Sequence, residues 1–258
     1  MRKRRIKLLI SYDGTNYSGW QRQKHDSTIQ GEIEKCLAIM TRDEIFLHGA
    51  GRTDGGVHAE AMVAHFDCHS TISDADFMRG LNSMLPGAIR ISHAITCDTS
   101  FHSRFSATGK RYHYVIFQGK VQPPHSRLYA VHVTSKLLLE PINECLIAIQ
   151  DTHDFTSFEN SGSRDKSITN GRGAVRTIYK ATLHSTIPGQ LVLEFIGDGF
   201  LKNMVRNLVG TLLDVGRGKI SVEEFKTILE AKNRSMGGAT APAHGLFLKE
   251  VFYGKIDL

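Results

Sequence analysis

One carboxylate set among glycines carries the strongest chemical signal in this 258-residue chain, in the stretch FLHGAGRTDGGVHA at residues 46–59. Glycines at 49, 51, 55 and 56 surround one cation, Arg52, one hydroxyl, Thr53, and one carboxylate, Asp54, with His58 close behind. Glycine removes side-chain bulk and admits positive φ, so a ligand or another backbone can approach closely. An arginine two residues before an aspartate, in a tight loop after a short apolar lead-in (Phe46, Leu47), suits holding an anionic substrate beside a reactive carboxylate. Other uses of the loop fit less well. A nucleotide-phosphate loop lacks its Gly-Lys-Ser/Thr end, and the third glycine of a dinucleotide fingerprint is missing. A metal site drawn from Asp54, His58, His65 and Asp67 has no recognised ligand spacing. An Arg52–Asp54 pair that merely pins a turn leaves the density of functional groups unexplained.

The elements around the loop follow from periodicity. Ile6–Tyr12 reads as a strand closed by Asp13-Gly14. Ile29, Ile33, Cys36, Leu37 and Met40 recur at helical spacing, with Ser27 and Thr28 as caps. Ala61–Cys68 reads as a strand, Phe77, Leu81 and Met84 as a helix ending near Pro86-Gly87, and Ile89–Thr96 as a further strand. The order β-α-β-β-α-β in the first hundred residues is that of the split βαβ, or ferredoxin-like, unit. The second half repeats the scheme less cleanly. Lys110–Phe117 is a strand with Tyr112, Tyr114 and Ile116 on one face. Ile142, Leu146 and Ile149 make a helix opening at Pro141. Val175–His184 and Leu191–Ile196 make a hairpin around Pro188-Gly189. The longest helix carries Met204, Val205, Leu208, Val209, Leu212 and Leu213, with Lys202 and Arg206 away from that stripe. Ser221 and Glu224 form a capping box, and Leu246–Phe252 is a final strand. The polar stretch 159–173, with Arg164, Lys166 and Arg172, reads as a flexible RNA-facing loop or a solvated insertion.

Composition is that of an ordinary globular chain, 41% hydrophobic and 22% charged. Lys+Arg 32 against Asp+Glu 26 gives a net charge of +6, which suggests a polyanionic partner. The basic run Arg2–Arg5 reads equally as a nucleic-acid contact and as a solvated tail. Cys36, Cys68, Cys97 and Cys145 show no Cys-x-x-Cys pair, so reduced thiols are expected rather than zinc or a disulfide framework. The apolar run near the N-terminus stops after Leu8-Leu9-Ile10, too short for a signal-peptide core, and no stretch approaches a membrane span. A cytoplasmic protein is the expectation.

At this point the residues resemble a known family. GAGRTDGGVHA is similar to the signature loop of the tRNA pseudouridine synthase A family. SYDGTNYSGWQRQ at 11–23, FHSRFSATGKRYHY at 101–114, GFLKNMVRNLVGTLLDVGRGK at 199–219 and TAPAHGLFL at 240–248 resemble its other motifs, in family order. The one departure noted is Gly55, where the family usually has alanine. The resemblance implies an isomerase that detaches uracil at N1, rotates it and rejoins it at C5, at positions 38–40 of the tRNA anticodon stem–loop. It implies Asp54 as nucleophile, acting by attack on C1′, addition at C6 or removal of the C2′ proton. It gives Arg52 to the flipped nucleotide or its phosphate, Tyr112 to stacking under the uracil, Arg206 to pairing with the aspartate and Leu246 to packing on the base. For Tyr112 and Leu246 a plain core role is the competing reading, and Trp20 reads as structural.

No cofactor and no metal is expected, since nothing is oxidised and no energy is consumed. The implied fold is α+β: two ferredoxin-like (RRM-like) α/β-sandwich domains, residues 1–106 and 107–258, with joined antiparallel sheets and a central active-site cleft. The implied assembly is a homodimer with tRNA as partner. A non-catalytic RNA-binding protein on the same kind of sheet is the alternative. It has no use for a glycine-cradled carboxylate, which repels phosphate, and no RNA-recognition strand signature is present.

Overall fold

The computed structural model describes residues 3–160, 171–185, 187–256 and 258. Ten strands and five α-helices lie among them, a mixed α+β architecture. None of the described helices is long and apolar enough to cross a membrane. The chain packs into two compact units, the first Met1–Thr108 with Phe247–Ile256 and the second essentially Gly109–Leu246.

The first unit runs β1 (Arg4–Tyr12), α1 (Ile29–Thr41), β2 (His48–Gly49), β3 (His58–Cys68), α2 (Asp74–Met84) and β4 (Ile89–Cys97). β1 pairs antiparallel with both β3 and β4, and β2 pairs antiparallel with β3, giving the order β4-β1-β3-β2. Alternation on β1 points Ile6, Leu8, Ile10 and Tyr12 into the core. Ile29, Ile33 and Leu37 of α1 and Phe77 and Leu81 of α2 are buried with them, and each such side chain contributes about 1.5–3 kcal/mol. Thr28 and Ser73 cap the two helices through their side-chain oxygens. The apolar lead-in expected at Phe46-Leu47 is displaced. The pairing residues are His48 and Gly49, and Phe46 is exposed, because only Leu47 finds a buried site.

The basic N-terminal run also reads differently in place. Arg5 grips both oxygens of Asp67 at 2.7 and 2.8 Å and the carbonyls of Thr99 and Phe101. Arg4 binds Asp74, Thr96 and the carbonyls of Ser70 and Ile72. Both are structural rivets rather than a tail, while Arg2 lies outside the described residues. The Arg5 hydrogen bonds hold the Asp67 carboxyl well below the usual carboxylate range.

The second unit comprises β5 (Gly109–Gln118), β6 (Val131–Val133), α3 (Leu139–Ala148), β7 (Asp151–Asp154), β8 (Val175–Ser185), β9 (Gln190–Gly197), α4 (Met204–Gly216) and α5 (Val222–Glu230). The sheet order is β5-β9-β8-β7, antiparallel throughout, with β6 parallel to β5. Helix α3 opens at Leu139, two residues before the expected Pro141. Proline remains compatible there because the N–H it lacks would be unpaired anywhere in the first turn. Helix α4 is not the single longest helix, since α1 also has 13 residues. It is buried nearly all round, and Lys202 precedes it, so only Arg206 of the two cations expected away from the apolar stripe lies on the helix. Of the 159–173 stretch, Arg164 and Lys166 lie outside the described residues, while Arg172 pairs with Asp198 at 2.6 Å. The last strand, β10 (Leu246–Phe252), runs parallel to β3 through Phe247 and Leu248.

His65 of β3 is 2% exposed and its Nδ1 accepts the Ser103 backbone N–H at 3.1 Å. Burial first, then the neighbouring Arg5, His102 and His48, pull its pKa down from 6.5 to about 4. Between those values the unfolded chain takes up a proton at His65 that the folded chain refuses, so stability falls as pH drops through that window. The urea midpoint is expected to decline between pH 6.5 and 4, and to decline less in His65→Gln. Superimposable profiles for the two proteins would remove His65 as the cause.

Candidate active site

The Asp54 loop is held from behind by the 11–23 segment. Trp20 N–H donates to the Thr53 carbonyl at 3.1 Å, and Gly56 N–H donates to the Tyr17 carbonyl at 3.3 Å. Gly19 makes this approach possible. Its φ is +99°, and a Cβ there would lie 2.5 Å from the Thr53 carbonyl oxygen. Gly14 is equally confined, since a Cβ on it would lie 2.0 Å from the Val57 carbonyl oxygen. Trp20 is buried, its indole lying across Gly49, where a Cβ would come within 2.6 Å of the ring. The same segment caps α1: Ile29 N–H and Gln30 N–H donate to the Gly19 and Trp20 carbonyls. Two of the unpaired donors of that helix end are thereby satisfied.

Within the loop, burial alternates. Thr53 points inward and its hydroxyl bonds the Tyr12 hydroxyl at 2.8 Å. Its neighbours are turned the other way, with Arg52 exposed and Asp54 half-buried. Val57 N–H closes the turn on the Asp54 carbonyl at 3.2 Å. One inward hydroxyl therefore orients two outward charged groups. Such a loop can offer a cation and a carboxylate from a fixed backbone. Gly56, at φ +78°, takes the left-handed position of the turn. Gly55 does not, and a Cβ there would meet only ordinary contacts, the nearest being Tyr17 O at 3.4 Å. The folded loop thus makes no use of the backbone freedom that glycine adds over alanine at position 55.

The residues grouped with Asp54 as a hypothetical metal site have separate employment. His58 Nδ1 accepts from Gly14 N–H at 3.1 Å and its ring stacks on Phe247. Asp13 Oδ1 lies 3.2 Å from the same nitrogen. The Gly14 contact makes Nδ1 the acceptor, because a backbone N–H can only donate. Asp67 is bound to Arg5 and His65 to Ser103. Among the described residues no group of three or more His, Cys, Asp or Glu is arranged to hold a metal ion.

Arg52 and Asp54 belong to the first unit; Tyr112, Arg206 and Leu246 belong to the second. Tyr112, on β5, is 8% exposed and meets the Phe200 ring edge-on at 5.1 Å. Tyr114, two residues on, is the fuller core residue: it is wholly buried, its hydroxyl donates to Pro242 O at 2.8 Å, and burial pushes its pKa up. Arg206 is half-buried, its Nε donating to Ala241 O at 2.8 Å while Ala241 N–H returns a bond to Arg206 O at 3.0 Å. The motifs at 199–219 and 240–248 are therefore tied together through Arg206 and Ala241. Leu246 starts β10 and is buried.

A polar network behind this pair was not read from the sequence. Buried Asn207 donates to Phe158 O and Asn160 Oδ1 and accepts from Thr240 Oγ1 and Arg234. Thr211 accepts from Gly238 N–H. Gly210 admits the 239–241 backbone so closely that a Cβ would lie 1.7 Å from Ala239 O. The available signal was Asn207 and Thr211 at i, i+4 spacing on an otherwise apolar helix, where polar groups stay only if bonded.

The profile of a family described as tRNA pseudouridine synthase matches residues 8–106 and 151–254. The chain is 56% identical over 250 residues to the tRNA pseudouridine synthase A 1 of Desulfotalea psychrophila (strain LSv54 / DSM 12343), covering 97% of this chain and 100% of the relative. It is 43% identical to the tRNA pseudouridine synthase A of Ligilactobacillus salivarius (strain UCC118), covering 98% of both. It is 45% identical to the tRNA pseudouridine synthase A 1 of Protochlamydia amoebophila (strain UWE25), covering 96% of this chain and 95% of the relative.

The loop geometry separates two glycines that look alike in sequence. Gly55→Ala is expected to be neutral or to stabilise by up to about 1 kcal/mol, by restricting the unfolded chain. Gly19→Ala is expected to cost about 1–3 kcal/mol through positive φ and collision with Thr53. Urea unfolding of both variants checks this, and a Gly55→Ala protein less stable than Gly19→Ala would refute the assignment.

Proposed function

The chain belongs to the tRNA pseudouridine synthase family, and we propose that it converts uridine to pseudouridine on the 3′ side of the tRNA anticodon stem–loop with Asp54 as nucleophile. The reaction is an isomerisation. The N1–C1′ bond breaks, a C5–C1′ bond forms, the hydrogen on C5 leaves as a proton, and N1 gains one. A carboxylate ionised at neutral pH can start this sequence by attack on a carbon or by taking a proton. The observation that carries the reading is the Asp54 loop itself: a half-buried carboxylate and an exposed arginine, both oriented by the buried Thr53 hydroxyl and clamped by the 11–23 segment.

The other assignments follow the same reading. Arg52 holds the phosphate or fills the space left when the target nucleotide is flipped out, which an exposed guanidinium beside the carboxylate suits. Tyr112 stacks on the uracil, and Arg206 and Leu246 take the substrate-binding roles that the family resemblance gives them. The two halves, 1–106 and 107–258, act as ferredoxin-like domains. The order β4-β1-β3-β2 supports this in the first half, and the order β5-β9-β8, with α3 between β5 and β8 in the chain and α4 after β9, in the second. The working enzyme is a cytoplasmic homodimer that uses neither cofactor nor metal.

Incubation with tRNA tritiated at C5 of uridine, without metal or nucleotide, tests the reading, because the C5 hydrogen must leave. Release is expected from the wild type and a loss on the order of a thousandfold or more from Asp54→Asn. Equal release from both would remove Asp54 as nucleophile. Tight tRNA binding with no release would identify a non-catalytic RNA-binding protein. In the same assay Tyr112→Phe is expected to keep at least about tenfold more activity than Tyr112→Ala, since stacking needs the ring and not the hydroxyl. Equal losses would transfer the role to the hydroxyl.

A further inference from the structure

The motif at 101–114 gives Tyr112 to the reaction but leaves residues 101–106 without a use. Those residues form a tightly built turn in the first unit. Ser103, wholly buried, anchors it. Its N–H donates to His65 Nδ1 at 3.1 Å, its hydroxyl donates to the His48 carbonyl at 2.5 Å, and its carbonyl accepts from the Tyr253 hydroxyl at 2.6 Å. His102 folds over the turn, with Nδ1 accepting from the backbone N–H groups of Arg104 at 3.1 Å and Phe105 at 3.3 Å. Ser106 N–H then donates to the His102 carbonyl at 2.9 Å.

This framework directs Phe105 into solvent. It is 77% exposed, the most exposed phenylalanine among the described residues. The ring is braced on one side by the His102 imidazole, with centroids 4.3 Å apart, and the Arg104 guanidinium carbon lies 5.8 Å from the ring centre. An aromatic ring fixed by a hydrogen-bonded turn, backed by a second ring and accompanied by a cation, is the arrangement that binds an unpaired nucleobase. The surroundings favour RNA over a protein partner. Arg104, Ser106 and His48 are exposed polar or charged neighbours in sequence or in the turn, whereas a protein interface core is built from clustered apolar anchors. Lys7 lies 5.4 Å over the Phe101 ring and 5.9 Å over Tyr253, adding positive charge to the same cluster. The turn is bonded to His48, and the chain runs from there through Gly49 into the Asp54 loop.

We propose that Phe105, with His102 behind it and Arg104 beside it, is a stacking platform for an unpaired base of the tRNA, separate from the base that reacts. The proposal rests on tRNA being the substrate, and the test keeps the two apart. Tritium release is measured over a range of tRNA concentrations for the wild type, Phe105→Ala, Phe105→Leu, Phe105→Tyr and the control Ile39→Ala, which removes another exposed apolar side chain, from α1. Phe105→Ala and Phe105→Leu are expected to raise KM about tenfold, with the loss carried by KM and not kcat. Phe105→Tyr is expected to restore it, and Ile39→Ala to leave it unchanged. Binding of a fully paired RNA duplex is expected to be the same in all five proteins. The proposal is overturned if Phe105→Leu behaves as wild type, if Phe105→Ala weakens duplex binding equally, or if sedimentation shows that Phe105→Ala changes the oligomeric state. No tritium release from the wild type would instead overturn the assigned reaction.

Discussion

The hydrogen bond from Trp20 N–H to the Thr53 carbonyl, together with the absence of a side chain on Gly19, is the constraint on which the functional loop depends. A loop with four glycines near one aspartate has a large conformational entropy when free. It presents Arg52 and Asp54 in one geometry only because a second segment lies against its backbone and because Thr53 is bonded from inside by Tyr12. The same segment supplies the acceptors that begin α1 and the indole that covers Gly49. Loop conformation, helix start and local core are thus one cooperative unit. Preorganisation of this kind fixes a side chain before a ligand arrives, so binding energy need not be diverted to ordering it.

The second unit solves its positioning problem with polar contacts. Arg206 and Ala241 exchange hydrogen bonds, and behind them Asn207, Thr240, Asn160 and Arg234 satisfy one another. Burial lowers the pKa of the Arg234 guanidinium, which donates to oxygens of Asn160, Gly237, Asn207 and Thr240. A buried network of this sort is costly when partly satisfied and directional when complete. It fixes where the 237–241 segment lies on α4 in a way that apolar packing alone would leave loose.

The sequence made much of this readable, and the limits have physical causes. Elements with clear periodicity and caps were legible: α1 with Thr28, the Ser221–Glu224 capping box, the β8–β9 hairpin and β10. Short strands were not. β6 and β7, with three and four residues, carry no periodicity of their own and exist through their neighbours. Helix α4 misled for the opposite reason: it is buried on nearly every side, so its apolar stripe is no guide to which face is free. At the site, Asp54 stood out because a carboxylate among glycines is chemically conspicuous. Trp20 read as structural and is buried, but the roles of Gly14 and Gly19 were hidden, since they depend on contacts across more than thirty residues of chain. Arg4 and Arg5 looked like a basic tail because charge is visible in sequence while the carbonyls and carboxylates that receive it are not.

The position of β10 has a consequence for how the protein comes into being. Phe247–Ile256 complete the unit that contains the Asp54 loop: Phe247 stacks on His58 four residues beyond the aspartate, Thr108 N–H donates to the Phe252 carbonyl, and Tyr253 secures Ser103. In chain order, one unit is inserted within the other. During synthesis the loop residues leave the ribosome early and then wait for nearly two hundred more before the strand that finishes their surroundings is made. Such long-range closure is slow and ties residues made late to a site made early. A nascent chain stalled short of β10 holds every residue of the loop and lacks part of the structure that gives the loop its shape.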